Sequence, residues 1–337
     1  MKTKQIVFTK VNTAELLERE CLAPTADEVT VDLQFSAISS GTERSNITGQ
    51  RNGPGQSEDA KAVFPRYCGY SAAGIVSAVG DNIADIKIGD RVLVFWGAHK
   101  KNITINRKKV VKIPEGVSLE EAAITFISTF PLAAIRKTKL EIGESALIMG
   151  LGILGIFAVK LLKAAGAYPI IAVDPVEERR KIALDCGADF AFDPTDGDFV
   201  KNVRNASDGG VSVCIEVTGL GIGLDQALDC MKQFGRIALL GCTRNSDFTI
   251  DYYNKVHAPG ISLIGAHTMA RPKNDSNPGY WTEIDDITSL LNLINGNRLN
   301  FKDIIFEIDK PEDCTEVYNR LINDKNFPVG VLFDWRD

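Results

Sequence analysis

The residues with the clearest chemical meaning are the three glycines of Gly150-Leu-Gly152-Ile-Leu-Gly155. They follow an apolar run and open an apolar helical pattern that continues to about Ala165. In this context the first glycine permits a tight turn, the second lets the backbone approach a pyrophosphate, and the third lets helix and strand pack closely. Peptide N–H groups at the helix N-terminus, from Ile153 and Leu154, then face the phosphates. The pattern predicts a dinucleotide site, and a turn without a ligand is the alternative.

Asp174 closes the next apolar run and stands 19 residues after Gly155. An acidic residue about 20 residues beyond the glycine loop accepts hydrogen bonds from ribose hydroxyls, and its charge would repel the 2′-phosphate of NADP. We therefore predict NAD as the cofactor, with Arg179 and Arg180 along the helix that follows. In a second interpretation, compatible with the first, Asp174 caps that helix and Pro175 is its first residue.

The elements that would position these residues alternate from about Leu119 between short apolar runs and amphipathic helical stretches. The runs lie at residues 146–149, 169–173, 190–192, 211–217, 236–240 and 261–264. This alternation predicts an α/β fold with a doubly wound parallel Rossmann sheet. His267 would end the last strand, at the edge of the sheet where nicotinamide is expected.

The first 118 residues have mostly the alternating pattern of half-buried strands. These alternating runs lie at 29–35, 73–80 and 91–96. Residues 45–61 are polar and glycine-rich, which predicts an exposed loop. After His267 we predict helices and strands at 284–294, 304–308, 312–322 and 329–333. Because this tail does not continue the parallel sheet, we assign it to the first domain.

Composition excludes several classes of protein. The 337 residues carry a net charge of -6, with 45% hydrophobic and 24% charged residues, and no block of five like charges. We therefore expect neither nucleic acid nor a membrane as partner. The seven cysteines are scattered without a Cys-x-x-Cys pair, and no signal-peptide core follows Met1. Both features favour a reducing compartment, and we predict a cytoplasmic protein.

Five further short motifs lie along the chain on both sides of the glycine loop. They are Gly-Asp-Arg-Val (89–92), Lys-Ile-Pro-Glu-Gly (112–116), Asp-Cys-Gly-Ala-Asp (185–189), Glu-Val-Thr-Gly (216–219) and Gly-Arg-Ile-Ala-Leu-Leu-Gly (235–241). With the glycine loop they cover about residues 25–265, and the chain resembles the medium-chain dehydrogenase/reductase superfamily. The resemblance implies an active site in a cleft, and it adds Thr218 and Gly241 to the cofactor-binding residues.

The resemblance also implies the domain plan. A barrel-like (GroES-like) β domain would form from both chain ends, with the Rossmann domain between them. We expect residues 1–118 to form the catalytic domain, 119–267 to bind NAD, and 268–337 to return to the catalytic domain. The expected assembly is a homodimer or a homotetramer.

The chain departs from this family at its metal ligands. Zinc-dependent members carry Cys in Gly-x-Cys-Gly-Thr-Asp and His in Gly-His-Glu, whereas this chain has Ala37-Ile-Ser39-Ser40-Gly41-Thr42-Glu43 and Gly69-Tyr70-Ser71. A hydroxyl and a phenol are not zinc ligands near neutral pH. Residues 125–129 offer no third ligand, and the four-cysteine lobe is absent. Cys68 has no clustered partner along the sequence, so we predict no metal site.

This variant pattern resembles a narrower, zinc-free branch of bacteriochlorophyllide (2-desacetyl-2-hydroxyethyl) dehydrogenase-like proteins. The likeness rests on residues 40–43, 69–74 and the Gly97-Ala98-His99 turn. The namesake of the branch oxidises a hydroxyethyl side chain on a tetrapyrrole. Because the branch is broad, the resemblance implies dehydrogenation of a secondary alcohol rather than one particular substrate.

Alcohol oxidation without zinc needs a base for the hydroxyl proton and a group that stabilises the alkoxide. The catalytic candidates are His99, Tyr70, Glu43 and Thr42. His99 is the first candidate for the base because imidazole titrates near neutral pH. If His99 fails as base, Glu43 and His267 are the next candidates.

Each catalytic candidate has an alternative interpretation without a catalytic role. His99 would be a surface histidine beside two lysines, and Tyr70 a buried aromatic with a satisfied hydroxyl. Glu43 would bind a sugar-like hydroxyl, or else pair with Arg44 or Arg66.

The leading hypothesis is an NAD-dependent, zinc-independent dehydrogenase of a polyol, sugar or other secondary alcohol. Its partner would be a small-molecule alcohol or ketone. An NAD(P)H-dependent quinone or enoyl reductase is the second hypothesis, since zinc-free members of the superfamily catalyse that chemistry. A third is a sensor that binds NAD without catalysis.

Overall fold

The computed structural model describes residues 1–50, 62–243 and 248–336. These residues form two compact units. One contains Met1–Ile127 together with Ile287–Asp337, and the other contains Ser128–Asp286. We call them the terminal unit and the central unit. No helix of the described residues is both long and apolar enough to cross a membrane.

Sixteen strands and eight α-helices are assigned within the described part of the chain. The strands are β1 (Lys2–Lys10), β2 (Thr13–Glu20), β3 (Glu28–Ala37), β4 (Arg66–Tyr67), β5 (Ser71–Val79), β6 (Arg91–Phe95), β7 (Asn102–Asn106), β8 (Val110–Lys112), β9 (Ala146–Met149), β10 (Ile170–Val173), β11 (Phe190–Phe192), β12 (Val211–Glu216), β13 (Met231–Leu239), β14 (Ser262–Gly265), β15 (Glu307–Asp309) and β16 (Val331–Asp334). The helices are α1 (Ser40–Ile47), α2 (Leu119–Thr138), α3 (Ile153–Ala164), α4 (Glu177–Asp185), α5 (Phe199–Ala206), α6 (Gly221–Cys230), α7 (Glu283–Asn295) and α8 (Cys314–Asn323).

The terminal unit is built on an antiparallel sheet that joins both ends of the chain. Its strand order is β15-β16-β3-β5-β6-β8, with β7 also paired to β3. A smaller sheet has the order β2-β1-β4. Strand β16 pairs with β3, Leu332 opposite Ala37, so the last strand of the chain lies beside the loop that follows β3. A single core underlies these strands and also contains Tyr318 from α8.

The central unit contains a six-stranded parallel sheet in the order β11-β10-β9-β12-β13-β14. The predicted doubly wound sheet is therefore confirmed. All residues of β9, β10 and β12 are buried, as in a parallel sheet covered on both faces. The chain order reverses between β9 and β12, and ligands of such sheets bind beside this point at the carboxyl ends of the strands.

Two local predictions need correction. The predicted loop at 45–61 is wrong at its start, because residues 45–47 are the last turn of α1, while residues 51–61 lie outside the described residues. The strand predicted at 304–308 is reduced to β15, since a short 3-10 turn occupies Lys302–Ile304.

Candidate active site

The glycine loop of the central unit has the geometry that a dinucleotide requires. Gly150 follows β9 with φ +94°, in the left-handed region that favours glycine. A Cβ on Gly155 would lie 2.0 Å from the Gly150 carbonyl oxygen, so no side chain fits there. Gly152, the N-cap of α3, has nothing within 4 Å of its Cβ position, which leaves open space beside the loop. The residues present therefore fit a bound pyrophosphate.

The other predicted cofactor residues lie at the same edge of this sheet. Thr218, Gly241 and His267 each come two residues after the end of β12, β13 and β14. A Cβ on Gly150 would lie 3.0 Å from the Thr218 methyl, so these two loops touch. The Glu216 carboxylate accepts hydrogen bonds from the N–H groups of Thr218 and Gly219, and burial raises its pKa. The bonds hold the loop after β12 in place.

Asp174 lies directly after β10 and holds two neighbouring segments of backbone. Its Oδ2 accepts a hydrogen bond from Leu151 N–H (2.8 Å), and its Oδ1 accepts one from Val176 N–H (2.9 Å). Arg179 places a guanidinium nitrogen 3.7 Å from the same carboxylate. The capping interpretation is wrong, because α4 begins at Glu177 and its N-cap is Val176.

In the terminal unit, Ser39 and Tyr70 meet. Ser39 lies between β3 and α1, Tyr70 lies between β4 and β5, and the Tyr70 hydroxyl donates a hydrogen bond to Ser39 Oγ over 2.5 Å. These are the two positions at which the resemblance compares zinc ligands. Ser39 is buried, whereas Tyr70 is partly exposed. We call them the hydroxyl pair.

The hydroxyl pair does not fit a zinc ion. Zinc lies about 2.0–2.2 Å from each oxygen ligand in a tetrahedral site, which sets two ligands more than about 3 Å apart. The 2.5 Å separation of the two hydroxyl oxygens is a direct hydrogen bond. Neutral hydroxyls are also poor ligands for this metal.

Aromatic side chains of the terminal unit surround the Tyr70 ring. The ring centroids of Trp96 and Phe126 lie 5.3 and 5.9 Å from that of Tyr70. Trp96 has φ +53°, a conformation that bulky side chains rarely adopt. These rings give the phenol an apolar setting in which a hydrogen bond is stronger than in water.

His99 and Glu43 come together in the interior of the terminal unit. His99 is 0% exposed and Glu43 is 1% exposed, so the surface interpretation of His99 is wrong. The imidazole Nε2 lies 3.2 and 3.3 Å from the two Glu43 carboxylate oxygens. Glu43 also accepts a hydrogen bond from Ser39 N–H (3.0 Å). Glu43 pairs with neither Arg44 nor Arg66, contrary to the ion-pair alternative, because its side chain points into this buried group.

The expectation that Cys68 has no clustered partner is also wrong. Gly69 has φ +82° and no side chain, so the His99 ring can pack directly against its backbone; a Cβ on Gly69 would lie only 2.5 Å from the ring. This close packing places Cys68, the preceding residue, beside His99. Within the described residues, Glu43, Cys68 and His99 have potential ligand atoms within 4.8 Å of one another, a set that suits zinc by donor type. Burial, and then the charge of Glu43, raise the pKa of the Cys68 thiol.

Thr42 and His267 are both exposed, unlike Glu43 and His99. Thr42 is exposed on the first turn of α1, and His267 is exposed in the loop after β14. Three further residues, Ser36, Tyr318 and Trp335, were not predicted from the sequence: Tyr318 bonds to Glu43, Ser36 bonds to His99, and Trp335 bonds to Ser36. The helix predicted at 312–322 contains Tyr318, which lies in α8, but nothing in the sequence indicated that its hydroxyl bonds to Glu43.

Comparisons with known proteins match this chain to dehydrogenases. A family model for zinc-binding dehydrogenases matches residues 154–284. D-guloside 3-dehydrogenase of Escherichia coli (strain K12) is 26% identical over 353 residues, covering 98% of this chain and 100% of that protein. L-threonine 3-dehydrogenase of Thermococcus kodakarensis is 30% identical over 236 residues, covering 60% of this chain and 65% of that protein.

Solved structures share the fold. That of 2R,3R-butanediol dehydrogenase from Bacillus subtilis matches with a TM-score of 0.83 and 22% identity, covering 98% of this chain and 99% of that one. An alcohol dehydrogenase from E. coli CFT073 (TM-score 0.83, 18% identity, 99% of both chains) contains NADH. A Sinorhizobium meliloti dehydrogenase (TM-score 0.82, 18% identity, 99% of both chains) contains NADP.

These solved structures show that the chain shares the fold of the named dehydrogenases, and the model for zinc-binding dehydrogenases matches residues 154–284 of it. The named relatives are dehydrogenases.

Proposed function

We propose that this protein is an NAD-dependent dehydrogenase of secondary alcohols of the polyol or sugar type. It interconverts an alcohol and its ketone, and the hydroxyl pair binds no zinc ion in doing so. The observation that carries this proposal is the direct hydrogen bond between Ser39 and Tyr70, at the positions where the resemblance compares zinc ligands. We further propose residues 1–118 with 268–337 as the catalytic domain and 119–267 as the NAD-binding domain.

NAD, when bound, accepts the hydride from the alcohol carbon. The protein's own task is to bind the alcohol oxygen and to hold or move its proton. With one of its two protons released to solvent beforehand, the hydroxyl pair can take up the alcohol proton during oxidation, and the fully protonated pair can give a proton to a carbonyl oxygen during reduction. The aromatic rings of Trp96 and Phe126 cover part of the Tyr70 ring. His99 is buried, so we assign it no contact with the substrate.

The substrate class is supported by the relative that spans the whole chain, a D-guloside 3-dehydrogenase. Its name denotes oxidation of a ring hydroxyl on a glycoside. A cyclic polyol or glycoside is therefore the first substrate class to test. The narrower likeness to bacteriochlorophyllide dehydrogenase-like proteins stays a prediction, since it depends on three short segments.

The decisive experiment is a screen of NADH formation from polyols, glycosides and simple secondary alcohols, with a quinone and enone panel run with NADPH. We expect turnover with at least one secondary alcohol and none with the quinones or enones. Reduction of a quinone alone would establish the reductase hypothesis instead. NAD binding without turnover on any panel would point to a sensor.

We expect the enzyme to favour NAD over NADP by at least about tenfold in kcat/KM, because the Asp174 carboxylate repels a 2′-phosphate. Asp174→Ser removes this charge, and we expect the ratio to fall towards one. Asp193→Ser, which also removes a carboxylate paired with an arginine of α4, is the control and should leave the ratio unchanged. Equal efficiency with both dinucleotides in the unmodified protein would contradict the prediction.

We expect the purified protein to hold no stoichiometric zinc and to keep its activity after treatment with a chelator. The reason is the replacement of thiolate and imidazole by the two hydroxyls of Ser39 and Tyr70. Elemental analysis before and after chelation, with the turnover number measured on the same samples, tests this. One zinc per chain, with activity lost on its removal and restored by its return, would show that the prediction is wrong.

A further inference from the structure

A continuous series of hydrogen bonds runs from Trp335, the residue after β16, to the interior of the terminal unit. The Trp335 indole N–H donates to Ser36 Oγ over 2.8 Å, and Ser36 Oγ lies 2.7 Å from His99 Nδ1. His99 Nε2 faces both oxygens of Glu43. Ser36 and His99 are both 0% exposed, so no water replaces these contacts.

The series continues from Glu43 to the hydroxyl pair. Glu43 accepts a hydrogen bond from the Tyr318 hydroxyl of α8 over 2.5 Å and one from Ser39 N–H over 3.0 Å. Ser39 Oγ in turn accepts the hydrogen bond from Tyr70. The carboxylate thus bonds directly to the backbone of the residue whose hydroxyl pairs with Tyr70. Glu43 is four residues beyond the N-cap Ser39, and its contact resembles a capping box.

The protons of this network can be assigned from the chemistry of its members. A carboxylate that receives Tyr318 O–H and Ser39 N–H acts as an acceptor, so the His99 nitrogen that faces it carries a proton. The indole of Trp335 only donates, so Ser36 Oγ accepts from it and can give its own proton to His99 Nδ1. Every buried polar atom in the series then has a partner, and none of them is unsatisfied. The network is complete without a metal ion.

Cys68 stands at the edge of the network. Its Sγ accepts a weak contact from the Tyr318 hydroxyl at 3.6 Å and donates one to the Ile6 carbonyl oxygen at 4.0 Å. A metal ion bound here would need the thiolate form of Cys68 and a free lone pair on His99 Nε2. In the proton assignment above, His99 Nε2 carries a proton and therefore has no free lone pair.

We propose that Glu43, supported by His99 and Tyr318, is a positioning residue that holds Ser39 against Tyr70 in the reactive arrangement. The buried network thereby gives the hydroxyl pair the fixed placement that a metal ion gives its ligands. Because α8 supplies Tyr318, the C-terminal segment takes part in the active site through Glu43. This inference rests on the proposed function of the hydroxyl pair.

The test compares Glu43→Gln, Tyr318→Phe and Cys68→Ala with the unmodified enzyme. Misplacing a reacting group by about 1 Å costs up to a hundredfold in rate, and we expect the first two variants to lower kcat about tenfold to a hundredfold. The Kd for NAD should not change, because the dinucleotide site is built by the central unit. Cys68→Ala is the control. Cys68 is buried beside Glu43 but donates no hydrogen bond to it, so this variant should keep kcat within about twofold of that of the unmodified enzyme.

Crystal structures of the same variants give a readout that does not depend on activity. We expect the distance between the Ser39 and Tyr70 hydroxyl oxygens to lengthen from 2.5 Å beyond hydrogen-bonding range in Glu43→Gln and to stay unchanged in Cys68→Ala. If the unmodified protein oxidises no alcohol, the proposed function fails, while these distances still test the positioning role. If Glu43→Gln does not fold, the milder Tyr318→Phe variant answers the same question.

Two outcomes would overturn the inference. In the first, Glu43→Gln and Tyr318→Phe leave both the distance and kcat unchanged. In the second, Cys68→Ala lowers kcat as much as the other two and releases one bound metal ion per chain, which would make Glu43, Cys68 and His99 a metal site.

Discussion

Tyr70→Phe is expected to lower kcat for alcohol oxidation about a hundredfold or more, the usual contribution of a general acid–base group. The substitution removes one oxygen and leaves the ring, so the packing against Trp96 and Phe126 is retained. Ser39 loses the hydrogen bond that it accepts from the phenol. Because the change lies in the terminal unit, we expect the Kd for NAD to stay the same.

Steady-state kinetics with the best alcohol from the screen, together with an NAD titration, would measure this effect. Tyr67→Phe is the matched control, since it removes the hydroxyl of a tyrosine that is 56% exposed on β4, three positions before Tyr70. Ser39→Ala should have a similar effect to Tyr70→Phe, and the double variant should be little worse than either, as expected of two groups that act as a unit. A Tyr70→Phe enzyme with full turnover would remove the hydroxyl pair from the mechanism.

Gly152→Ala is expected to weaken NAD binding at least about tenfold, which corresponds to about 1.4 kcal/mol, without affecting the fold. The backbone of Gly152 has φ -67° and ψ -172°, which alanine adopts without strain. No protein atom lies within 4 Å of the new methyl group. The methyl would instead occupy the space in which the pyrophosphate approaches the loop.

Calorimetric titration with NAD, beside a thermal melt without ligand, separates binding from stability. Gly197→Ala is the control, because its Cβ position is equally open and it lies outside the glycine loop. We expect unchanged melting temperatures in both variants and weaker binding only in Gly152→Ala. If Gly152→Ala binds NAD normally, the loop is a turn without a ligand, as the alternative interpretation holds.

The parallel sheet and the dinucleotide loop were predictable because their signals are local in sequence. Strands β9 and β11 have the same bounds as the predicted runs at 146–149 and 190–192. A run of buried apolar residues and three glycines at fixed spacing determine a strand, a turn and a helix N-terminus within about 20 residues, whatever the rest of the chain does. The presence of a serine at position 39 and a tyrosine at position 70 could likewise be read from residue types alone.

Contacts between distant residues were decided by the tertiary structure alone. His99, between a glycine turn and two lysines, had the local sequence of a surface residue, yet the close approach permitted by Gly69 buries it completely. Cys68 gained Glu43 and His99 as neighbours from segments 25 and 31 positions away along the chain. Local periodicity states which face of an element is buried, but not which side chain of another element it meets.

The sequence by itself determined the fold class, the glycine loop and the absence of thiolate and imidazole at two positions, because each depends on residue type within one short segment. Only the tertiary structure brought the Tyr318 hydroxyl of α8 to Glu43 in α1 and the Trp335 indole to Ser36 in β3. The physical reason is that a buried carboxylate such as Glu43 must be hydrogen-bonded, and its donors come from whichever elements pack around it. That choice is made by the packing of the core, after the local elements have formed.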